Sequence, residues 1–318
     1  MCEKPLLKAA KRKRDIYDFS SVFANTKELF EEADYVVGNL ETVCAGREKR
    51  YTTELYSFNT PDSFLDALAG AGIDMVTMAN NHCLDRGTDG AKRTVQLLNE
   101  RGIEHVGIQC DSQSNSYFIK ELAGMRIAFL NATYGTNTTT NHVLLDEQEA
   151  HMVRLMRAQQ DNLYQADKKK GIGLRDIIMF LPKHIFTKEV KMKIKKSLGK
   201  EYNCPKIDEK YVESAIMPYL NLISKDIKKA REEADLVIYC PHIGGQFNEL
   251  PGAYSEYVMN FLAQQEVDLI IGTHPHVVQK YEEKTCGEKK SRAYFHLGII
   301  VYRQVRYMCY LIISQNMG

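Results

Sequence analysis

The sequence predicts an α/β fold in which helices cover a largely parallel sheet. Three observations carry that expectation: short apolar runs recur along the chain, segments with helical apolar spacing lie between several of them, and each run closes on a polar or glycine-rich turn. Residues 35–37, 75–78, 127–130, 236–239 and 267–271 are the predicted strands. Between the first two, Thr60-Pro61-Asp62 marks a helix start, Phe64, Leu65 and Leu68 share a face, and Gly70 and Gly72 stop the helix. A second helix is predicted over 89–101, where Ala91, Val95 and Leu98 align and Gly102 supplies the C-terminal cap. Ile216, Leu220, Ile223 and Ile227 make a third stripe; Tyr254, Val258, Phe261 and Leu262 make a fourth.

The chain has 318 residues, 44 % of them apolar, enough for one large core or two ordinary ones. Its 42 basic and 41 acidic residues argue against a nucleic-acid binder and against a disordered polyelectrolyte. The balance is local, however: residues 161–210 carry a net charge of +6, leaving −5 elsewhere. That lysine-rich stretch has no convincing strand and reads as an inserted, solvated helical excursion, or else as a basic surface for a polyanion. No run approaches the roughly 18 uncharged apolar residues of a membrane span, and Met1 to Arg14 lacks the apolar core of a secretion signal. The eight cysteines form no C-x-x-C pair and read as reduced thiols.

Unusual polar residues follow the predicted strands, where an open α/β sheet places its ligand crevice. The first strand runs into Gly38-Asn39-Leu40-Glu41, and the second into Ala79-Asn80-Asn81-His82-Cys83-Leu84-Asp85. Strand 236–239 leads to Cys240-Pro241-His242, and strand 267–271 to Gly272-Thr273-His274-Pro275-His276. Four of nine histidines thus fall in these turns. His274 and His276, spaced i, i+2 on an extended segment, are expected to project to one side, with Pro275 stiffening the backbone between them. Imidazoles with a carboxylate such as Glu41 and an amide oxygen such as Asn81 make a mixed N/O set suited to Mn²⁺, Zn²⁺ or Fe²⁺. Taken singly, Glu41 reads equally as a capping residue, the Asn pair as turn chemistry and His82 as a structural histidine; their joint placement argues for a metal. There is no phosphate-binding G-x-x-x-x-G-K-[ST] loop, no complete dinucleotide fingerprint at Gly171-Ile172-Gly173 and no G-x-S-x-G elbow. Cys83 and Cys240, though close to histidines, read as small apolar fillers.

The stretches Tyr17-Asp18-Phe19-Ser20-Ser21-Val22-Phe23, Ala33-Asp34-Tyr35-Val36-Val37-Gly38-Asn39-Leu40-Glu41-Thr42, Phe58-Asn59-Thr60-Pro61-Asp62 and Glu104-His105-Val106-Gly107 carry a resemblance, with the runs 79–87 and 272–279 as its most specific parts. At these residues the chain resembles the bacterial capsule synthesis family of CapA and PgsA, linked to poly-γ-glutamate and to the calcineurin-like metallophosphoesterases. The likeness covers about 15–297 apart from the basic insertion, within one domain spanning 1–318. It implies a four-layer α/β/β/α sandwich with a two-metal centre at the strand ends. Glu41, Asn81, His242, His274 and His276 would be the metal ligands, His82 the general acid or transition-state donor, and Asp85 its supporting partner. The implied reaction is hydrolysis of a phosphoester or related bond by metal-activated water.

Two departures set further expectations. The family opens on a strand ending in Gly-Asp, whose Asp is a ligand, and nothing before Tyr17 supplies it. Its Ser-Leu-Gly-Asn-Phe run stands here as His296-Leu297-Gly298-Ile299-Ile300, after which 299–318 has no recognisable pattern. A missing first strand and a missing last hairpin are therefore expected, with exposed sheet edges and an incomplete site. The implied partners are an anionic polymer or phosphoester substrate and other capsule-synthesis proteins, without nucleic acid. The implied location is the cell envelope, with a membrane tether only through a lost N-terminal segment, or the cytoplasm if Met1 is the true start. The rival expectations are a non-catalytic envelope component that binds an anionic polymer and an inactive truncated product.

Overall fold

The computed structural model describes residues 2–53, 57–159, 206–286, 289–296 and 310–313. The first elements are helix α1 (Lys4–Ala10), strands β1 (Lys11–Lys13) and β2 (Ile16–Tyr17), and helix α2 (Lys27–Glu31). Next come β3 (Tyr35–Asn39), α3 (Ser63–Ala71), β4 (Met75–Thr77), α4 (Gly87–Glu100), β5 (Glu104–Val106), β6 (Tyr117–Leu122), β7 (Met125–Thr133) and the short α5 (Thr138–Asn141). The C-terminal half adds α6 (Lys206–Glu209), α7 (Glu213–Glu233), β8 (Leu236–His242), α8 (Ala253–Gln264), β9 (Leu269–Ile271), β10 (Tyr281–Cys286), β11 (Lys289–Tyr294) and β12 (Tyr310–Ile313).

All five predicted strands and all four predicted helical stripes are present, and the chain is α/β. It differs from the one largely parallel sheet that periodicity suggests: the strands divide between one sheet of order β12-β3-β4-β5 and another of order β10-β11-β9-β8-β7-β6, beside the small β1-β2 pair. Parallel pairing links β3 to β4 to β5, and β7 to β8 to β9 to β11, while β12, β6 and β10 run antiparallel at the edges. Apolar periodicity reports that a strand is buried on both faces but not which strand it pairs with, so it could not give the division, which only the family resemblance, with its two β layers, implied.

Alternation along each strand explains how the sheets stack. Tyr35, Val37, Met75 and Val106 of one sheet meet Ile127, Phe129, Ile238, Cys240 and Ile271 of the other in a shared core. The intervening residues Val36 and Val76 face Phe64, Leu65, Ala91 and Leu98 of α3 and α4, with Leu6 and Leu7 of α1 in the same cluster. Ala128, Leu130, Val237 and Tyr239 face Ile216, Leu220, Ile223 and Ile227 of α7 and Tyr254, Val258 and Leu262 of α8. The helices end as their sequences dictate: Gly72 and Gly102 adopt positive φ, and their N–H groups bond to Ala69 and Asn99. Asp208, returning from the undescribed 160–205, caps α8 from a distance, its carboxylate accepting from the Gly252 and Ser255 N–H groups and the Ser255 hydroxyl.

One expectation about the ends changes, and the N-terminus adds an element that the sequence did not predict. Residues 310–313, within a tail that had no recognisable pattern, form β12 and pair antiparallel along β3, so the expected open edge there is closed. The N-terminal charged run is in part a helix, with Leu6, Leu7 and Ala10 buried. Most of the basic insertion at 161–210 lies outside the described residues. Among the described residues, Cys2, Cys44, Cys83, Cys110 and Cys240 are free thiols, and burial pushes the Cys83 thiol up to about 12, as expected of an inert filler. No described helix is long and apolar enough to cross a membrane.

The inward-facing positions turn polar toward the strand ends: Asn39, Thr77, Asn131 and His242 continue the inter-sheet stripe. Asn131, buried on β7, accepts from the Ala79 N–H at 2.5 Å and donates to the carbonyls of Ala79 (3.3 Å) and Cys240 (2.6 Å). It thereby ties the end of β4 to β7 and β8. Gly107 makes room for it: φ is +108°, and a Cβ there would sit 2.2 Å from Asn131 Oδ1. Asn131→Ala removes three buried hydrogen bonds and is expected to cost about 2–4 kcal/mol, read as a lower urea midpoint. A loss under about 0.5 kcal/mol would contradict the bridging role.

Candidate metal centre

Glu41, two residues beyond β3, is buried, and its Oε1 accepts no hydrogen bond; it lies 3.6 Å from His242 Nε2 and 3.9 Å from His276 Nε2. Burial, the largest influence, raises the carboxyl's proton affinity. The two asparagines after β4 divide their work. Asn80 performs turn chemistry, its amide donating to the Leu40 carbonyl at 2.8 Å and its oxygen accepting from the His82 N–H at 3.0 Å. Asn81 instead faces the site, with Oδ1 2.8 Å from His242 Nε2.

His242 ends β8 on the inward register, its Nδ1 2.8 Å from the Thr273 hydroxyl. His274 places Nε2 3.3 Å from the Tyr134 hydroxyl, and its buried Nδ1 has no hydrogen-bond partner. The ring centroids of His242 and His274 are 4.9 Å apart, and those of His274 and His276 5.8 Å. His274 and His276 converge, but not by the alternation of an extended strand. β9 ends at Ile271, and the two histidines take φ of +100° and +60° in a tight turn around Pro275. Such backbone is costly for residues with a Cβ and is held by packing, including the close approach of Pro275 to Gly244. Burial holds His242 and His276 well below the usual imidazole range and His274 down to about 3, with neighbouring imidazoles adding to the shift. The imidazoles are neutral and keep lone pairs for a cation.

Ligand atoms of Glu41, His242 and His274 all lie within 4.8 Å of one another, a possible metal-binding triad. The fit to a cation rests on its chemistry: Glu41 Oε1 and His274 Nδ1 are buried without a hydrogen-bond partner, the imidazoles can each offer a ring-nitrogen lone pair, and no Lys or Arg belongs to the group. His276 borders this triad through Glu41. His82 and Asp85 form a second, fully buried pair, with Nδ1 2.7 Å from Asp85 Oδ2; the same carboxylate oxygen accepts from the Phe58 N–H at 2.6 Å, and the Phe58 ring packs on the imidazole. This fixes the Nδ1–H tautomer of His82 and leaves Nε2 as the reactive nitrogen.

Sequence reading missed Tyr134, Thr273, Asn137 and His296. Strand β7 runs three residues past its predicted end, so Tyr134 was not recognised as a strand-end residue. Thr273 stood inside the quoted Gly-Thr-His-Pro-His run without a role. His296 is a buried imidazole brought down to about 4 by burial, and its protonation would oppose that of His242, His274 and His276.

The bacterial capsule synthesis protein family PGA_cap matches residues 1–303. The chain belongs to that family. It is 23 % identical over 292 residues to the capsule biosynthesis protein CapA of Bacillus anthracis, covering 91 % of this chain and 55 % of that protein. It is 25 % identical over 297 residues to the uncharacterized protein y4sH of Sinorhizobium fredii, covering 89 % and 62 %. The chain thus spans less than two thirds of these relatives. A hypothetical protein from Thermus thermophilus aligns with a TM-score of 0.42 and 14 % identity, covering 93 % of this chain and 72 % of that one. GAP50, the anchor in the inner membrane complex of Plasmodium, aligns with a TM-score of 0.31 and 10 % identity, covering 90 % and 79 %.

The imidazoles of His242, His274, His276 and His296, with the half-buried His105, set the pH response of the metal-free protein. Their folded proton affinities lie below the unfolded value of about 6.5, so the unfolded chain binds more protons in acid. Stability is full above about pH 6.5 and falls as pH drops toward the folded values, about 4 for His296 and about 3 for His274. Each imidazole contributes up to ~1.4 kcal/mol per pH unit, and Glu41, shifted upward, offsets part of it. Urea midpoints in chelator at pH 7.5 and 5.5 test this; an equal or higher midpoint at 5.5 would contradict it.

Proposed function

We propose that this capsule synthesis protein is a metallophosphoesterase-like hydrolase acting in capsule biosynthesis. The supporting observation is the triad of Glu41, His242 and His274, whose buried ligand atoms converge where the polar ends of two facing sheets meet. The helices on both outer faces suit a four-layer α/β/β/α sandwich, read as one domain over 1–318. Glu41, Asn81, His242, His274 and His276 would hold two divalent ions of Mn, Zn or Fe. When bound, such ions supply Lewis-acid polarisation and a water acidic enough to act as nucleophile at neutral pH.

The chain's own residues do the remaining work. Thr273 holds the His242 ring in place through Nδ1, whichever tautomer is present, because a hydroxyl both donates and accepts. Asp85 accepts from His82 Nδ1 and leaves Nε2 to face the substrate; in the imidazolium form His82 would give its Nε2 proton to the leaving group or hydrogen-bond developing charge, returning to the neutral Nδ1–H ring. Phe58 and the buried walls exclude bulk water from that pair. The substrate we assign is a phosphoester or an anionic polymer such as poly-γ-glutamate, handled at the cell envelope with other capsule-synthesis proteins. A second reading, a non-catalytic binder of the anionic polymer, is favoured by the net +6 over 161–210.

Metal analysis of the whole protein tests the first reading. Wild-type protein is expected to retain Mn, Zn or Fe in at least equimolar amount, and His274→Ala/His276→Ala to lose it together with metal-dependent hydrolysis of bis-p-nitrophenyl phosphate. Absence of metal from both proteins would overturn it. Polymer binding that survives these substitutions and weakens with salt, or on neutralising the lysines of 188–200, favours the second reading.

A further inference from the structure

Asn81 is held at both ends of its amide. Oδ1 is 2.8 Å from His242 Nε2, and Nδ2 donates to Asn137 Oδ1 at 3.3 Å. The two ends of an amide are alike in size and opposite in chemistry, and only the oxygen can ligate a divalent cation of this class. A half-turn of the Asn81 amide would aim its NH₂ at the ligand cluster and set its oxygen against the oxygen of Asn137, acceptor against acceptor. The Asn137 carbonyl therefore selects the orientation that turns the Asn81 oxygen inward. We propose that Asn137, a residue outside every motif of the chain, is the positioning residue of the centre, fixing Asn81 as an oxygen ligand. The inference rests on the metal reading of Asn81.

The fold holds Asn137 firmly enough for that role. Its backbone lies in the left-handed region, φ 52° and ψ 37°, where asparagine is among the few side chains readily accepted. The loop is pinned on both sides by Gln159, which donates to the Thr136 hydroxyl at 2.7 Å, accepts from the Leu145 N–H at 2.9 Å, and takes the Thr138 hydroxyl on its backbone oxygen at 3.1 Å. Asn137 Nδ2 packs 3.3 Å from His82 Nδ1, whose proton goes to Asp85, so this is a contact and not a hydrogen bond, and one side chain sits against both the candidate ligand and the candidate acid.

Mn²⁺ titration calorimetry of the full chain tests the proposal. Asn137→Gly removes the side chain while tolerating the left-handed backbone, and it is expected to weaken Mn²⁺ binding tenfold or more. Asn137→Asp keeps an acceptor for Asn81 Nδ2 and is expected to stay within about threefold of wild type or to bind more tightly. In an Asn81→Ala background, Asn137→Gly is expected to add nothing, because the two act through one contact. Wild-type affinity in Asn137→Gly, or losses that simply add, would overturn the proposal. If wild-type protein takes up no Mn²⁺, the metal reading fails, and the metal-free protein decides the positioning role by itself. There, hydrogen exchange of the Asn81 side-chain NH₂, followed by ¹⁵N NMR, is expected to accelerate at least fivefold in Asn137→Gly, and an unchanged rate would overturn it.

Discussion

One buried amide holds the two sheets in register where it matters. Asn131 projects from β7 into the interface between the sheets and binds both the N–H and the carbonyl of Ala79, together with the carbonyl of Cys240. Ala79 immediately precedes Asn80, Asn81 and His82, and Cys240 precedes His242 by two residues. The same side chain thus sets the distance between the elements that deliver Asn81 and His242. A purely apolar contact would tolerate sliding; three directional bonds in a buried interface do not. The unsubstituted Cα of Gly107 is the space that makes this bridge possible.

Beyond Asn131 the inter-sheet stripe changes from apolar to polar while alternation continues, which gathers Thr77, Asn39 and His242 on one side without any loop excursion. Crowding then shapes the chemistry. Buried imidazoles close to one another are each costly to protonate, and a buried carboxylate beside them lacks hydrogen-bond donors. The same burial that keeps the imidazoles neutral leaves them available as donors to a cation. The left-handed backbone at His274 and His276 is the conformational cost of turning both rings into that space, and packing of Pro275 against Gly244 holds it.

Much of this was legible in the residues. The apolar runs marked the buried strands, and the concentration of Glu41, Asn81, His82, His242, His274 and His276 after them marked the site, because a parallel strand delivers its C-terminal neighbours to one edge. The specific runs at 79–87 and 272–279 carried the family likeness. Asn80 and Asn81 are the same residue type, and the choice of Asn81 as the amide facing the site agrees with the turn, which directs Asn80 to the backbone and Asn81 toward His242. The strand stops at Ile271, where it is predicted to, but the His-Pro-His segment after it is a turn with left-handed backbone at both histidines rather than an extended continuation, and apolar content says nothing of that local backbone.

By itself the sequence determined the α/β class, the helical faces and the set of candidate ligands, since each depends on periodicity or on neighbours along the chain. Only the tertiary structure decided the strand order within each sheet, the closing of β3 by residues 310–313, and the meeting of Tyr134, Thr273 and Asn137 with the histidines. Those contacts join residues tens to more than a hundred positions apart, and they are fixed by hydrogen-bond direction across an interface, a property that no local pattern of residues encodes.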